Sequence, residues 1–200
     1  VTKNDFNRLK KYKKNISINY NYEIKSCVGE NIIVDIKHSD SNKYIVIGAH
    51  FDGWKCSAQD NSVAILMMFK LLEYLQKIFL NINVRFIFFD SEELGFAGSD
   101  YHIKNNKDEY IYFLNLEMII PSENTIVSTI FYDSRKSSSI PKLESLRKGY
   151  IPVPFYVLYN WFGTLFPSDV HSFYNAKIPS ASYFCTGKYY HTSLDTFDKL

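Results

Sequence analysis

Residues able to hold a metal ion recur in this chain at the ends of apolar runs. His50-Phe51-Asp52 closes one run and Asp60 begins the segment after it. Asp90-Ser91-Glu92-Glu93 closes a second run, Glu117 a third, and Tyr190-His191 lies near the C-terminus. Imidazole and carboxylate together suit zinc, and a carboxylate can bridge two ions. Each position alone has a plainer meaning. A histidine at a strand end is usually a satisfied polar group, Glu92 and Glu93 could serve only the dipole of a following helix, and Asp60 could be only an N-cap. The recurrence of His50, Asp60, Glu92, Glu93, Glu117 and His191 after strands or at helix starts is what points to a metal site. Asp52 lies two residues from His50, so both side chains leave one side of an extended chain, where a carboxylate can fix the imidazole tautomer.

The elements that must position these residues read as an α/β pattern. Strands are expected at 18–26 and 31–38, where Ile32, Val34 and Ile36 alternate with polar neighbours. Buried strands follow at 43–49, 84–89, 111–118 and 180–185, with a further strand at 125–131 and an extended stretch at 153–158. Helices are expected at 61–79, 94–105, 142–149 and 169–175, and Asp195 reads as the cap of a last helix, with Asp198 three residues on. Buried strands alternating with helices imply a three-layer αβα sandwich around a mostly parallel mixed sheet. Such sheets bind ligands beyond the carboxyl ends of their strands, where the candidate residues stand.

Composition narrows the classes. Two hundred residues, 46% hydrophobic and 22% charged, make one folded domain. A net charge of +2 suggests neither nucleic acid nor a membrane surface as partner, and the basic run from Arg8 to Lys14 reads as a solvated helix face. The apolar stretch Leu66–Leu80 carries Lys70, Glu73, Gln76 and Lys77 and cannot span a membrane. Cys27, Cys56 and Cys185 form no disulfide framework or CxxC pair, and no signal peptide is visible, so cytoplasmic and secreted locations both stay open.

The chain resembles the di-zinc exopeptidase family of bacterial leucyl aminopeptidases, glutamate carboxypeptidase II and, more distantly, glutaminyl cyclases. The resemblance runs from about Asn31 to Leu200 in the blocks IGAHFD, SAQDNSVA, FIFFDSEELGFAGS, NLEM, and SDVHSFYNAKIPSASYF with YYHTSLDTFDKL. It implies the zinc-exopeptidase fold as a single catalytic domain over residues 1–200, compact for the family and truncated at both ends. It implies two zinc ions: His50 and Glu117 on one, Glu93 and His191 on the other, Asp60 bridging. Glu92 would be the general base, Asp52 the partner of His50, and Tyr190 a donor to the developing oxyanion. The substrate would be a peptide with a free, apolar N-terminal residue, its side chain lined by the aromatic stretch Phe155–Phe166. The family usually has Asp where Glu117 stands and often His where Val170 stands, while His171 has no ligand counterpart and reads as a pocket or surface residue. Two rivals share the scaffold: a single-zinc acyltransferase like the glutaminyl cyclases, and a non-catalytic member such as the transferrin receptor.

Overall fold

Alternation along the strands builds both faces of one sheet. The computed structural model describes residues 3–12, 15, 17, 19–120, 127–134, 150–157 and 168–200. Its strands are β1 (Ile32–Ile36), β2 (Lys43–His50), β3 (Asn83–Phe89), β4 (Glu109–Glu117), β5 (Val127–Tyr132), β6 (Ile151–Pro154) and β7 (Ser180–Thr186). They lie in the order β1-β3-β2-β4-β7-β5-β6. The central β3, β2, β4 and β7 are mutually parallel, β1 and β5 pair antiparallel to β3 and β7, and β6 follows β5 in parallel. The helices are α1 (Lys3–Leu9), α2 (Val63–Leu75), α3 (Ala97–Asn105) and α4 (Val170–Asn175).

On one face Ile47 and Ala49 of β2 and Val84, Phe86 and Phe88 of β3 pack against Val63, Ala64 and Met68 of α2. On the other, Tyr44, Val46, Ile87, Phe89 and Phe113 pack against Ile103 of α3 and Val170 and Phe173 of α4. Successive residues of a strand thus serve opposite layers, which is why these runs are apolar throughout. From β2 the chain crosses to β3 on one side, and from β3 it crosses back beyond β2 to β4. Right-handed crossovers in opposite directions put their helices on opposite faces, as α2 and α3 are. The connections leaving the carboxyl ends of β2 and β3 thus run to opposite faces, and the residues just beyond such ends are where sheets of this kind bind ligands.

Several expected elements differ. Residues 19–26 form no strand: Tyr20, Tyr22 and Ile24 alternate as a strand would, but they are 74%, 71% and 85% exposed and join no ladder. The helix expected at 61–79 is preceded by a π-turn at Ala58–Ser62 and ends at Leu75. The helix expected from 94 starts at Ala97, because Gly95 and Phe96 take positive φ, 92° and 61°. Asp195 caps no helix: only a 3-10 turn, Phe197–Lys199, follows it. Phe155 is buried in the core cluster that contains Phe173. The rest of the aromatic stretch, 158–166, and the helix expected at 142–149 lie outside the described residues. Among the described residues no helix is long and apolar enough to cross a membrane.

The face under α3 holds one buried charged group. Arg85 donates to Asp35 at 2.7 and 2.8 Å, to Asp108 at 2.6 Å and to the Tyr110 hydroxyl at 2.9 Å. That hydroxyl also lies 2.7 Å from His102 Nε2, where a neutral imidazole can accept its proton. Burial, with Arg85 adding, pulls the imidazole down from 6.5 to about 4.

Met68 is wholly buried between α2 and the sheet. Met68→Ala should cost about 2–5 kcal/mol and lower the melting temperature, as a thermal melt will show, without touching the strand-end residues. A second expectation concerns acid. Below about 6.5 the unfolded chain binds a proton at His102 that the folded protein refuses until about pH 4. Stability should therefore fall across that window as pH drops. His102→Gln, which can still accept from Tyr110, should flatten the fall, measured as the shift in urea midpoint between pH 7 and pH 5.

Candidate metal centre

The carboxyl ends of three parallel strands and one loop converge on a cluster of imidazoles and carboxylates. β2 ends in His50 and β4 in Glu117, and adjacent parallel strands bring His50 Nε2 within 3.1 Å of Glu117 Oε1. The loop after β3 supplies Glu92 and Glu93, and the loop after β7 supplies His191. Between them stands Asp60, on the π-turn ahead of α2. Its Oδ1 lies 3.3 Å from His50 Nε2 and its Oδ2 3.1 Å from His191 Nε2. Glu93 Oε2 is a further 3.1 Å from His191 Nε2. His50, Asp60 and Glu117 thus form one donor group and Asp60, Glu93 and His191 a second, with the donor atoms of each within 4.8 Å of one another.

The hydrogen bonding of His50 tests whether a cation fits. Its Nδ1 lies 2.9 Å from the carbonyl oxygen of Asp52. A carbonyl only accepts, so Nδ1 carries a proton and Nε2 is turned towards the oxygens of Asp60 and Glu117. Nε2 can face two carboxylates only with positive charge between them, a proton on the ring or a bound cation. The same demand appears in the acid–base balance. Burial opposes charge on His50, yet Glu117, Asp52 and Asp60 together hold it well above the usual imidazole range. Burial pushes Glu92 up to about 9, with Glu117 adding and His50 opposing, and burial likewise raises Glu117 and Glu93. A divalent ion among these groups reverses that balance. Glu93 also keeps one oxygen, Oε1, buried without a hydrogen-bond partner. The donor set therefore fits metal ions in both positions.

Asp52 does more than was expected of it. Its carboxylate is 3.5 Å from His50 Nδ1, farther than its own carbonyl. Instead its two oxygens accept the backbone N–H groups of Glu92 and Glu93 at 3.0 and 3.1 Å. One residue thus orients the imidazole through its main chain and the acidic pair through its side chain. Tyr190 stacks on His191 with ring centroids 3.7 Å apart and is half exposed. His171 stands apart from both donor groups and stacks on Phe96.

Three residues that hold the site, and a fourth buried near it, had other meanings, or none, in the sequence. Buried Asp195 accepts the N–H groups of Gln59 and Asp60 at 2.8 and 3.2 Å and so fixes the turn bearing Asp60. Asn61 donates to the Leu116 carbonyl and accepts from the Met118 N–H, tying the same turn to the end of β4. The Trp54 indole donates to Glu93 Oε2 at 2.8 Å. Asp169, fully buried at the start of α4, is pushed up to about 7 by burial against the pull of His50 and Ser99. The HFDGWKC and SDVHSF stretches contain two of these, but nothing in their residue types distinguishes them from ordinary loop residues.

Known proteins share this arrangement of elements. Aminopeptidase Y of Saccharomyces cerevisiae is 26% identical over 189 residues, 86% of this chain and 34% of its own length. Among solved structures, the aminopeptidase from Aneurinibacillus sp. strain AM-1 superposes with a TM-score of 0.69 at 24% identity, over 85% of this chain and 43% of that one. BSAP, a zinc aminopeptidase from Bacillus subtilis, gives 0.65 at 20%, over 85% and 45%. The glutaminyl cyclase of Porphyromonas gingivalis gives 0.65 at 17%, over 85% and 69%. The chain spans about a third of aminopeptidase Y and under half of the two aminopeptidase structures. The model of peptidase family M28 matches residues 31–200, a span holding every member of both donor groups, and this chain belongs to that family.

Proposed function

We propose that this chain is the catalytic part of a zinc-dependent aminopeptidase that hydrolyses the N-terminal peptide bond of its substrate. The carrying observation is the pair of donor groups sharing Asp60, in which Nε2 of His50 faces two carboxylates. His50 and Glu117 would hold one zinc ion and Glu93 and His191 the other, with Asp60 on both. Two such ions would acidify a shared water and polarise the scissile carbonyl. Glu92 is left free of both donor groups, buried beside them, with its backbone fixed by Asp52. Bound cations would lower the proton affinity that burial and Glu117 give it, leaving a carboxylate that would take the proton of the attacking water and pass it to the leaving amine. Tyr190, stacked on His191, would donate to the developing oxyanion. The half-exposed Phe51 and Trp54 and the exposed Leu94 on the same edge favour an apolar N-terminal side chain in the substrate. The names of aminopeptidase Y and of the two bacterial aminopeptidases support the exopeptidase assignment.

With adequate zinc, elemental analysis should find two ions per chain. Chelation should abolish the release of free amino acids from peptides, and zinc should restore it. One ion together with pyroglutamate formation from N-terminal glutamine would instead favour the cyclase-like acyltransferase. No ion and no turnover would favour a non-catalytic member.

Adjacent substitutions separate proton transfer from metal holding. Glu92→Gln keeps the size but cannot accept a proton, so turnover should fall by about 10²–10⁴-fold with both ions retained. Glu93→Gln should lose the ion on the His191 side, because a neutral amide is a poor zinc ligand. The reverse pattern, with metal lost from Glu92→Gln and kept by Glu93→Gln, would exchange their assignments.

A further inference from the structure

The loop from Asp90 to Phe96, which carries Glu92 and Glu93, is backbone-strained. Ser91, Gly95 and Phe96 take φ of 57°, 92° and 61°, and two of the three have side chains that disfavour that region. Within the loop only a few turns of main-chain bonding resist relaxation: Gly95 and Phe96 donate to the Glu92 carbonyl and Ala97 to that of Ser91. Contacts from outside must hold its shape. Asp52 holds the front, at the Glu92 and Glu93 amides.

The back is held by a segment just ahead of β1. The side-chain amide of Asn31 accepts the Asp90 N–H through Oδ1 at 3.0 Å and donates to the Gly98 carbonyl through Nδ2 at 2.9 Å. One planar group thus closes both ends of the loop. A side-chain amide offers an acceptor and a donor on two atoms of one rigid plane. The neighbouring Glu30 N–H donates to Asp90 Oδ2 at 3.0 Å. The crossing is tight. A Cβ on Gly98 would come within 2.2 Å of the Asp90 carbonyl oxygen and 2.5 Å of Asn31 Oδ1, and one on Gly29 within 2.6 Å of Asp90 Oδ2. Glycine stands on both sides where the segment meets the loop.

We propose that Asn31 is a positioning residue for Glu92 and Glu93, and that Gly29–Asn31 is a strap without which the acidic pair does not hold its catalytic placement. This rests on the assignment of Glu92 as base and Glu93 as zinc ligand. The strap acts through main-chain atoms and touches neither the substrate nor the metal.

Asn31→Ala tests it, with Met68→Ala on the opposite face as a variant that destabilises the fold without loosening the loop. Hydrogen exchange is read in the zinc-free protein, and kcat, KM and zinc retention against a chelator in the loaded one, all well below both melting temperatures. The amides of residues 90–98 should exchange faster in Asn31→Ala while those of β2 do not. kcat should fall on the order of 10–100-fold, the usual effect of losing a partner that orients a ligand. KM should change little, because the loss falls on the transition state. Zinc should be released at lower chelator concentration. Met68→Ala should show none of these changes. If Asn31→Ala is too unstable to purify, Asn31→Asp, of the same size but unable to donate to Gly98, is read by the same measurements. Unchanged exchange at residues 90–98, or a kcat no lower than that of Met68→Ala, overturns the strap. If the wild type neither binds zinc nor cleaves peptides, the functional assignment fails, and the exchange measurement still decides the strap.

Discussion

The carboxylate of Asp60 faces two imidazoles at once, Oδ1 towards His50 and Oδ2 towards His191, at 3.3 and 3.1 Å. Nearly everything else in the structure serves that placement. Asp60 is 4% exposed, and two more acids, Glu92 and Glu117, are buried beside it at 8% and 4%. Carboxylates this close and this dry oppose one another's ionisation, and among the described residues no lysine or arginine is paired with them in this cluster. The chain compensates mechanically. Asp195 grips the backbone on one side of Asp60, and Asn61 ties the other side to β4. A cluster that is unfavourable by itself and rigidly enforced by its surroundings is the physical mark of a cation site.

The sheet supplies convergence and the loops supply aim. Parallel neighbouring strands lie about 4.8 Å apart, so two strand-end side chains from β2 and β4 meet with no special loop between them. His50 and Glu117 do so, at 3.1 Å. The longer glutamate still reaches the imidazole from the end of β4. The remaining donors must be aimed by loops, and positive φ marks where the chain is bent to do it. Ser57 precedes Asp60, Ser91 precedes Glu93, Met118 follows Glu117, and His191 itself has φ 56°. Strain of this kind, on the order of 1–3 kcal/mol per residue, persists only where side-chain hydrogen bonds over-determine the backbone, as Asp52, Asp195 and Asn61 do here.

The sheet core was legible in the sequence because buried parallel strands are short apolar runs, and the runs ending at His50, Glu92 and Glu117 were bounded by charge. The donor residues were legible for the same reason: they interrupt apolar runs at the edge where such sheets bind ligands. The supporting residues were not. Asp195 acts on Asp60 across 135 positions of sequence and Asn61 on Leu116 across 55, and each bonds to main-chain atoms that no residue type announces. Asp195 looked like a helix cap because a buried aspartate accepting two N–H groups uses the same chemistry as one. The strand expected at 18–26 failed for the opposite reason. Tyr20, Tyr22 and Ile24 have the right alternation, but a strand also needs a neighbour, and alternation says nothing about whether one is free.

The two donor groups are unequal in burial and in what positions them. His50 and Glu117 sit on strand ends, 1% and 4% exposed, and their geometry follows from the sheet itself. His191 and Glu93 sit on loops, with side chains 37% and 10% exposed, and Glu93 is held by the Trp54 indole at its carboxylate and by Asp52 at its N–H. The strand-borne group is the more buried and the loop-borne group reaches solvent through His191, so the strand ends keep the reference position against which Asp60 is aligned. The two groups are tied together at two residues: Asp60 belongs to both, and Asp52 links His50 to the Glu93 amide, while the grip of Asp195 and Asn61 on the Asp60 turn fixes the first of these ties.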